Sequence, residues 1–203
     1  MKFEERIKNK KVMLVAHRGT CGGNIPCNSI EAFQIALNHG ADVIELDVEK
    51  SKDGVLFIQH PGMEYVHLGM KESLKEFNSD DIKQMYLLNQ DLTKTQYHIP
   101  TLREALLFLK DKCIVNIDKF WENPKEITEL VDELGMAEQV IIKTEAKEAY
   151  LKAIGVSTYE GILLPDLSIY KDSTGVPKFR GIPNARLTVS HDAGVAVAVV
   201  VIE

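Results

Sequence analysis

Short apolar runs alternate along the chain with amphipathic stretches. The apolar runs predict strands over residues 12–16, 41–48, 113–117, 140–143 and 161–164, and the amphipathic stretches predict helices over 30–38, 102–110, 124–134 and 146–154. The first run, VMLVA, is apolar at every position, which is typical of a strand that is covered on both faces. Short strands that alternate with helices indicate an α/β fold with a parallel sheet or barrel.

Turn and cap signals mark where these elements begin and end. The dipeptide Asp53-Gly54 is a strong hairpin signal, so we expect the chain to return beside the second strand over residues 55–59. Residues 61–100 interrupt the alternation, and we expect two loops there with one short helix that begins at Ser79. The residues expected to start the longer helices are Asn28 or Ser29, Thr101 and Pro124.

Polar side chains follow the predicted strands at the point where each one ends. In parallel α/β folds the carboxyl ends of the strands form the functional face, so we expect these side chains to meet at one rim. They are His17 and Arg18 after the first strand, Glu45 and Asp47 on the second, His60 after the hairpin return, and Asp118 and Lys119 after the third main strand.

Glu45 and Asp47 lie two residues apart on one strand and therefore share a face. Two carboxylates on one face of an apolar strand repel each other and resist burial, and a hard divalent cation removes that conflict. Asp118 offers a third oxygen ligand. The alternative interpretation is a solvated strand end with surface carboxylates.

The two histidines and the two cations beside these carboxylates suit a phosphate ester. His17 and His60 each follow a strand directly, as expected for a pair of proton-transfer groups. Arg18 supplies a forked cation for phosphate oxygens, and Lys119 supplies a second, point-like cation. The predicted reaction class is metal-assisted hydrolysis with general acid–base catalysis. A third histidine, His67, is expected in a loop.

The order and spacing of several motifs make the chain resemble the glycerophosphodiester phosphodiesterase family, over roughly residues 10–165. The motifs are HRG (17–19), CNSIEAF (27–33), ELDV (45–48), KDG (52–54), His60, PTLREAL (100–106) and VNIDK (115–119). This resemblance implies a TIM-type (β/α) barrel of the PLC-like phosphodiesterase group, with residues 61–100 as the insertion characteristic of the family. It also implies hydrolysis of glycerophosphodiesters to glycerol 3-phosphate and an alcohol, with Mg²⁺ or Ca²⁺ as the cofactor.

The resemblance assigns roles to the same residues. It implies that His17 and His60 are the acid–base pair and that Arg18 contacts the phosphate. Glu45 and Asp47 match the two metal-binding carboxylates of the family. Asp118 stands where the family usually has a glutamate, and Lys119 follows it directly, whereas the family lysine usually lies two residues further on.

Composition and charge restrict the classes of partner that the chain is expected to bind. With 24 basic and 30 acidic residues the formal net charge is −6, which argues against a nucleic-acid partner and leaves a small-molecule diester. No apolar run is long enough for a membrane span, and residues 1–11 do not form a secretory signal. Three cysteines, an odd number, suggest reduced thiols, so we expect a cytoplasmic protein.

Length is the feature that fits the barrel least well. We expect a single domain over residues 1–203, yet an eight-unit barrel takes about 250 residues, so the barrel is expected to be incomplete at its C-terminal end. Residues 166–203 form an atypical segment with strand-like runs at 187–190 and 195–202, and His191-Asp192 is expected in a turn.

Several alternatives follow from this length. The structural alternatives are a truncated or frameshifted product, a barrel completed by a second copy in a homo-oligomer, and a variant with a smaller closed sheet. The functional alternatives are a non-catalytic fragment that only binds a ligand or partner, and a related phosphodiesterase that acts on lysophospholipids.

Overall fold

The computed structural model describes residues 12–142, residue 173 and the backbone of four later strands. It divides into two compact units, Met1–Ile142 and Lys143–Glu203. The helix and strand expected over residues 146–154 and 161–164 lie outside the described residues, and the single domain over 1–203 stays a prediction. Within the described residues, no helix is long and apolar enough to cross a membrane.

The first unit is built from seven strands and five helices among the described residues, with three single turns of 3₁₀ helix. The strands are β1 (Val15–His17), β2 (Val43–Lys50), β3 (Leu56–Ile58), β4 (Tyr86–Leu88), β5 (Lys94–His98), β6 (Ile114–Asp118) and β7 (Val140–Ile142). The helices are α1 (Ile30–Asn38), α2 (Glu64–Leu68), α3 (Ser79–Ile82), α4 (Leu102–Leu109) and α5 (Pro124–Glu133), and the 3₁₀ turns are Leu74–Glu76, Phe120–Glu122 and Ala137–Gln139.

Four parallel strands form the main sheet, in the order β1-β2-β6-β7, and β3 pairs antiparallel with β2. The Asp53-Gly54 turn makes this hairpin, as the sequence predicted. Alternating strands and helices give the sheet the α/β arrangement of a TIM-type barrel, and the fold class predicted from sequence is confirmed.

The longer helices begin at the positions that the sequence predicted from Ser29, Thr101 and Pro124. The Ser29 hydroxyl accepts a hydrogen bond from the Ala32 amide at the start of α1. Thr101 caps α4 and forms a reciprocal capping box with Glu104. Pro124 is the first residue of α5, where its missing N–H has no helical partner to lose.

Strand β2 separates the core from the polar face of the sheet because its side chains alternate. Ile44, Leu46 and Val48 are fully buried and belong to the main hydrophobic core with Val115 and Ile117 of β6. This core also takes the apolar stripes of α1, α4 and α5, through Phe33, Ala36, Leu102, Leu106, Leu109, Ile127 and Val131. The opposite face of β2 is left for the carboxylates.

Residues 61–100 are more ordered than two loops and a short helix. They contain α2 and α3 and an antiparallel hairpin, β4–β5, and they pack a second small core of Phe57, Leu74, Ile82, Leu87 and Ile99. The hairpin was missed because its strands are short and its pairing contains a register shift.

Strand β1 differs from the prediction of a strand covered on both faces. Val12, which lies before the first residue of β1, is 72% exposed, and Val15 in β1 is 58% exposed. Among the described residues, β1 has only β2 as a neighbour in the sheet. An apolar run indicates that a strand can be buried, but the elements that pack around the strand determine whether it is buried.

The second unit contains two antiparallel strand pairs. Strands β8 (Ile169–Lys171) and β9 (Pro177–Phe179) pair with each other, and β10 (Ala185–Asp192) pairs with β11 (Val195–Ile202) over their whole length. The two strand-like runs of the sequence are confirmed. His191 and Asp192 lie inside β10 and not in a turn, because the pairing continues to Asp192 opposite Val195.

Candidate active site

Three carboxylates from two neighbouring strands meet on the polar face of the sheet. Oxygens of Glu45, Asp47 and Asp118 all lie within 4.8 Å of one another. The pairing of β2 with β6 produces this cluster, because Asp47 stands directly opposite Asp118. All three residues are buried, with 4% or less of their surface exposed. The interpretation of these residues as a solvated strand end is therefore wrong.

Three buried carboxylates this close together require a nearby positive charge to offset their mutual repulsion. Two carboxylates about 5 Å apart repel each other by roughly 3 kcal/mol at the effective dielectric of a protein. Four buried side-chain oxygens have no hydrogen-bond partner among the described residues: Oδ1 of Asp47, Oδ1 of Asn28, Oδ1 of Asn116 and Oε2 of Glu49. Hard oxygen donors of this kind are the ligands that Mg²⁺ and Ca²⁺ take in proteins, so the residues present fit a divalent cation.

Arg18 provides one of the charges that face the cluster. Its Nε lies 2.7 Å from Oδ2 of Asp47; the Asp47 side chain is fully buried and the Arg18 side chain is 18% exposed. The Arg18 amide donates to both the backbone carbonyl and the side chain of Glu45, at 3.0 and 3.1 Å. Arg18 adopts a left-handed backbone conformation (φ 59°), which turns the chain away from β1 and towards the carboxylates.

Gly19 lets this turn pack against α1. Its φ is +78°, and a Cβ at this position would lie 2.7–2.8 Å from the backbone and Cβ of Ala32. Only glycine satisfies both the backbone conformation and the close approach. The glycine of the HRG motif therefore fixes the position of Arg18 relative to the helix.

Asn28 belongs to the site and does not cap the helix. Its Nδ2 donates to Oδ2 of Asp47 at 2.9 Å, while Ser29 provides the cap of α1. The sequence alone did not distinguish Asn28 from Ser29 as the N-cap of α1, because both residue types commonly cap helices. Asn116 was also missed, although its place on β6 opposite Glu45 puts it on the carboxylate face.

The two candidate catalytic histidines differ in their surroundings. Nε2 of His17 lies 3.8 Å from Oε2 of Glu45, and the His17 side chain is 68% exposed. Nδ1 of His60 lies 2.8 Å from the carbonyl oxygen of Pro61. Because a carbonyl only accepts, Nδ1 of His60 carries the proton, and Nε2 is left to accept or deliver one.

Lys119 follows Asp118 in a left-handed conformation (φ 58°), and its amide donates to Oδ1 of Asp118 at 2.8 Å. Its ammonium lies 5.3 Å from the centre of the Trp121 ring. The structure thus brings together His17, Arg18 and the three carboxylates. The described side-chain contact of His60 is with the carbonyl oxygen of Pro61, and that of Lys119 is with the ring of Trp121.

His67 is buried in α2 and does not lie in a loop as expected. Its Nδ1 donates to Oε1 of Gln59 at 3.0 Å, so its Nε2 accepts from the Cys27 thiol at 3.4 Å. Burial, with the nearby Arg18 charge, lowers the pKa of His67 to about 4. Burial raises the pKa of Cys27 to about 11, so both groups are neutral at pH 7.

A fourth carboxylate continues the row along β2. Glu49 is 1% exposed and lies on the same face as Glu45 and Asp47. Burial and the nearby Glu64 carboxylate raise the pKa of Glu49 to about 7. The sequence analysis did not single out Glu49, although its spacing of two residues from Asp47 places it in the same row.

A buried cluster of oxygen donors lies with an arginine and a histidine at the carboxyl ends of parallel strands, which is where (β/α) barrels carry their functional groups. The sequence family agrees, because the family model for the glycerophosphoryl diester phosphodiesterase family matches residues 17–175. This chain belongs to that family, as its motifs predicted.

Individual relatives cover parts of the chain. A glycerophosphodiester phosphodiesterase of Caldanaerobacter subterraneus subsp. tengcongensis is 36% identical over 110 residues, 53% of this chain and 45% of the relative. The crystal structure of a glycerophosphoryl diester phosphodiesterase from Parabacteroides distasonis matches with a TM-score of 0.62 and 26% identity, over 71% of this chain and 52% of that one. The chain spans about half the length of these relatives.

A relative of a second kind matches a smaller share of the chain. A holo-[acyl-carrier-protein] synthase of Aliarcobacter butzleri is 41% identical over 96 residues, which is 41% of this chain and 78% of the relative. Part of the chain is therefore also similar to holo-[acyl-carrier-protein] synthase.

Proposed function

We propose that this chain is a metal-dependent hydrolase that cleaves glycerophosphodiesters to glycerol 3-phosphate and an alcohol. The observation that carries this proposal is the buried cluster of Glu45, Asp47 and Asp118 beside His17 and Arg18, in a chain of this family. The three carboxylates would hold Mg²⁺ or Ca²⁺. When bound, the cation supplies positive charge to a phosphodiester oxygen.

Arg18 and Lys119 would bind the phosphate. The Nε of Arg18 faces Asp47, which leaves its two terminal nitrogens as the forked donor that suits phosphate oxygens. Lys119 would add a point charge from the end of β6. Together they offset the charge that grows on the phosphate oxygens during attack.

His17 and His60 would move the protons. One takes a proton from the attacking oxygen and the other gives a proton to the leaving alkoxide. The exposure of His17 and the hydrogen bond that places the proton of His60 on Nδ1 both support this role. Cys21, Cys27 and Cys113 form no disulfide in the described part of the chain, which supports a reducing, cytoplasmic location.

The test is release of glycerol 3-phosphate from a panel of glycerophosphodiesters, with and without Mg²⁺ or Ca²⁺. The full chain should hydrolyse soluble diesters only with the cation, and His17→Ala and His60→Ala should each abolish the release. His39→Ala, at the exposed end of α1, is the matched control and should keep full activity. Activity in either of the first two variants contradicts the assignment. Faster hydrolysis of lysophospholipids than of any soluble diester contradicts the substrate class.

A second candidate function rests on the relative from Aliarcobacter butzleri, of which this chain covers 78%. We propose that the segment similar to it converts apo-acyl carrier protein to the holo form. The test is mass spectrometry of apo-acyl carrier protein incubated with coenzyme A and the full chain. Holo-protein formed equally by wild type and His17→Ala supports a second, separate activity, and unchanged apo-protein contradicts it.

A further inference from the structure

A series of three hydrogen bonds leads from Cys27 to the backbone of the candidate catalytic residue His60. The Cys27 thiol donates to Nε2 of His67 at 3.4 Å, and Nδ1 of His67 donates to Oε1 of Gln59 at 3.0 Å. Nε2 of Gln59 then donates to the backbone carbonyl of His60 at 3.2 Å. Gln59 is fully buried and His67 is 6% exposed. We call the three side chains of Cys27, Gln59 and His67 the His67 network.

The direction of every hydrogen bond in the His67 network follows from its last member. A backbone carbonyl only accepts, so the amide nitrogen of Gln59 faces His60 and the amide oxygen faces His67. That oxygen also only accepts, so Nδ1 of His67 carries the ring proton and Nε2 accepts from the thiol of Cys27. Both ring nitrogens of His67 are therefore engaged within the protein, and neither is left for a substrate.

The backbone that Gln59 holds is the turn that sets the ring of His60. The Met63 amide donates to the His60 carbonyl at 3.1 Å. Pro61 and Gly62 (φ +82°) lie between them, which is the residue pattern of a type II turn. The Pro61 carbonyl, in the middle of this turn, accepts from Nδ1 of His60 at 2.8 Å. The orientation of this carbonyl therefore decides which nitrogen of His60 carries the proton.

His67 closes the same turn from its far side. It lies in α2, and its backbone amide donates to the Met63 carbonyl at 2.9 Å. Its side chain returns to Gln59, the residue that precedes the turn. His67 thus joins the two ends of the turn, and because His67 and Gln59 are both buried, water does not compete for the bond between them.

We propose that His67 is a positioning residue for His60, because it holds Gln59 and thereby the turn that keeps the proton of His60 on Nδ1. The proposal rests on the phosphodiesterase function proposed above, in which His60 moves a proton through Nε2. Without the His67 network the His60 ring is free to rotate and to change tautomer, so a smaller fraction of molecules has Nε2 ready for a proton. The loss is one of preorganisation, and substrate and cation binding are retained.

The first experiment measures the tautomer of His60 directly, from the ¹⁵N NMR signals of its ring nitrogens at about pH 8, where an ordinary imidazole is neutral. Wild type should show the Nδ1–H form. His67→Phe keeps a planar ring and removes both side-chain hydrogen bonds, so His60 should shift towards the Nε2–H form, which free imidazole side chains favour in water. His98→Phe, the same change at an exposed histidine, should leave the His60 signals unaltered. The Nε2–H form in wild type, or an unchanged His60 in His67→Phe, overturns the proposal.

The second experiment measures kcat and KM for a soluble glycerophosphodiester, together with cation affinity. His67→Phe should lower kcat by about tenfold or more, the effect of a misplaced proton-transfer group, with KM and cation affinity close to those of wild type. His67→Gln, whose amide is able to donate to Gln59 and to accept from Cys27, should recover most of kcat. A merely structural role would lower the amount of folded protein and leave kcat per folded molecule unchanged. An equal loss of kcat in both variants, or a loss explained by weaker cation binding, contradicts the proposal.

Gln59→Met covers the case in which His67→Phe does not fold. It replaces the amide with an apolar side chain of similar length and leaves His67 in place. The shift of the His60 tautomer and the fall in kcat should both appear in this variant. An unchanged tautomer or an unchanged kcat contradicts the proposal.

The two experiments together separate this inference from the phosphodiesterase function. A His60 tautomer that depends on His67, in a chain that hydrolyses no diester, supports the positioning role and contradicts the function. Hydrolysis with a kcat that His67→Phe leaves unchanged supports the function and contradicts the positioning role.

Discussion

Asp47 and Asp118 occupy paired positions on the adjacent parallel strands β2 and β6, and both carboxylates are buried. Their proximity follows from register, since residues opposite each other in a sheet share a face. Like charges at such positions destabilise a sheet unless another charge compensates for them. Arg18 compensates at Asp47 from one side, and the cluster as a whole still carries an excess of negative charge.

The first prediction concerns cation binding. Asp118→Asn removes one of the three proposed ligands, so the affinity for Mg²⁺ or Ca²⁺ should fall at least about tenfold. The same change relieves carboxylate repulsion, so without a cation the variant should be at least as stable as wild type. Thermal unfolding across a titration of each cation measures both effects. A variant that keeps the full cation-dependent rise in Tm contradicts the assignment of Asp118.

The second prediction concerns the geometry of Arg18. Arg18→Lys keeps the positive charge and loses the planar fork that faces Asp47 and is proposed to bind a phosphate. We expect kcat/KM for any hydrolysed diester to fall by about tenfold or more, because a bidentate charged contact is lost. Arg103→Lys is the matched control, since Arg103 makes an exposed bidentate pair with Glu133. Equal activity of both variants would show that only charge matters at position 18.

The sequence predicted the parts of this fold that depend on local chemistry. The N-termini of α1, α4 and α5 follow from Ser29, Thr101 and Pro124. Ser29 and Thr101 accept hydrogen bonds from backbone amides of the first turn, and Pro124 needs no hydrogen-bond partner for its nitrogen. The shared face of Glu45 and Asp47 follows from the two-residue period of a strand. These features need no information about the rest of the molecule.

What the sequence did not predict depends on contacts between distant segments. The buried ring of His67 contacts Cys27, which is 40 residues away in the chain, and Gln59, which is eight residues away. The hairpin β4–β5 has weak local signals and is held against Phe57 and Leu74. The exposure of Val15 in β1 is decided by which strands surround it, and an apolar run does not carry that information.

The third prediction concerns the close packing of Gly19 on α1. Gly19→Ala forces a side chain into a left-handed conformation and brings its Cβ within 2.8 Å of Ala32. We expect a loss of stability of roughly 2–4 kcal/mol, from strain and overpacking together. Gly23→Ala is the matched control, because Gly23 also has positive φ (+55°) but its Cβ would meet nothing within 4 Å. Denaturant unfolding should show a clearly larger loss for Gly19→Ala, and equal losses would contradict the packing argument.

The fourth prediction concerns the pH dependence of stability that His67 confers. Burial lowers the pKa of His67 from 6.5 to about 4, so the unfolded chain binds a proton at this residue more readily than the folded chain does. The resulting contribution to stability is fully present above pH 6.5 and is lost as the pH falls towards 4. Its size is roughly 3 kcal/mol, at about 1.4 kcal/mol for each pH unit of the shift.

Denaturant unfolding at several pH values between 7 and 4 measures this contribution. His67→Gln removes the titrating group and should flatten the fall in stability over that range relative to wild type. His98→Gln is the control, because His98 is exposed at the end of β5 and should leave the wild-type slope in place. If His67→Gln loses stability between pH 7 and pH 4 as steeply as wild type does, another buried group causes the dependence, and the neutral pair of His67 and Cys27 is not its source.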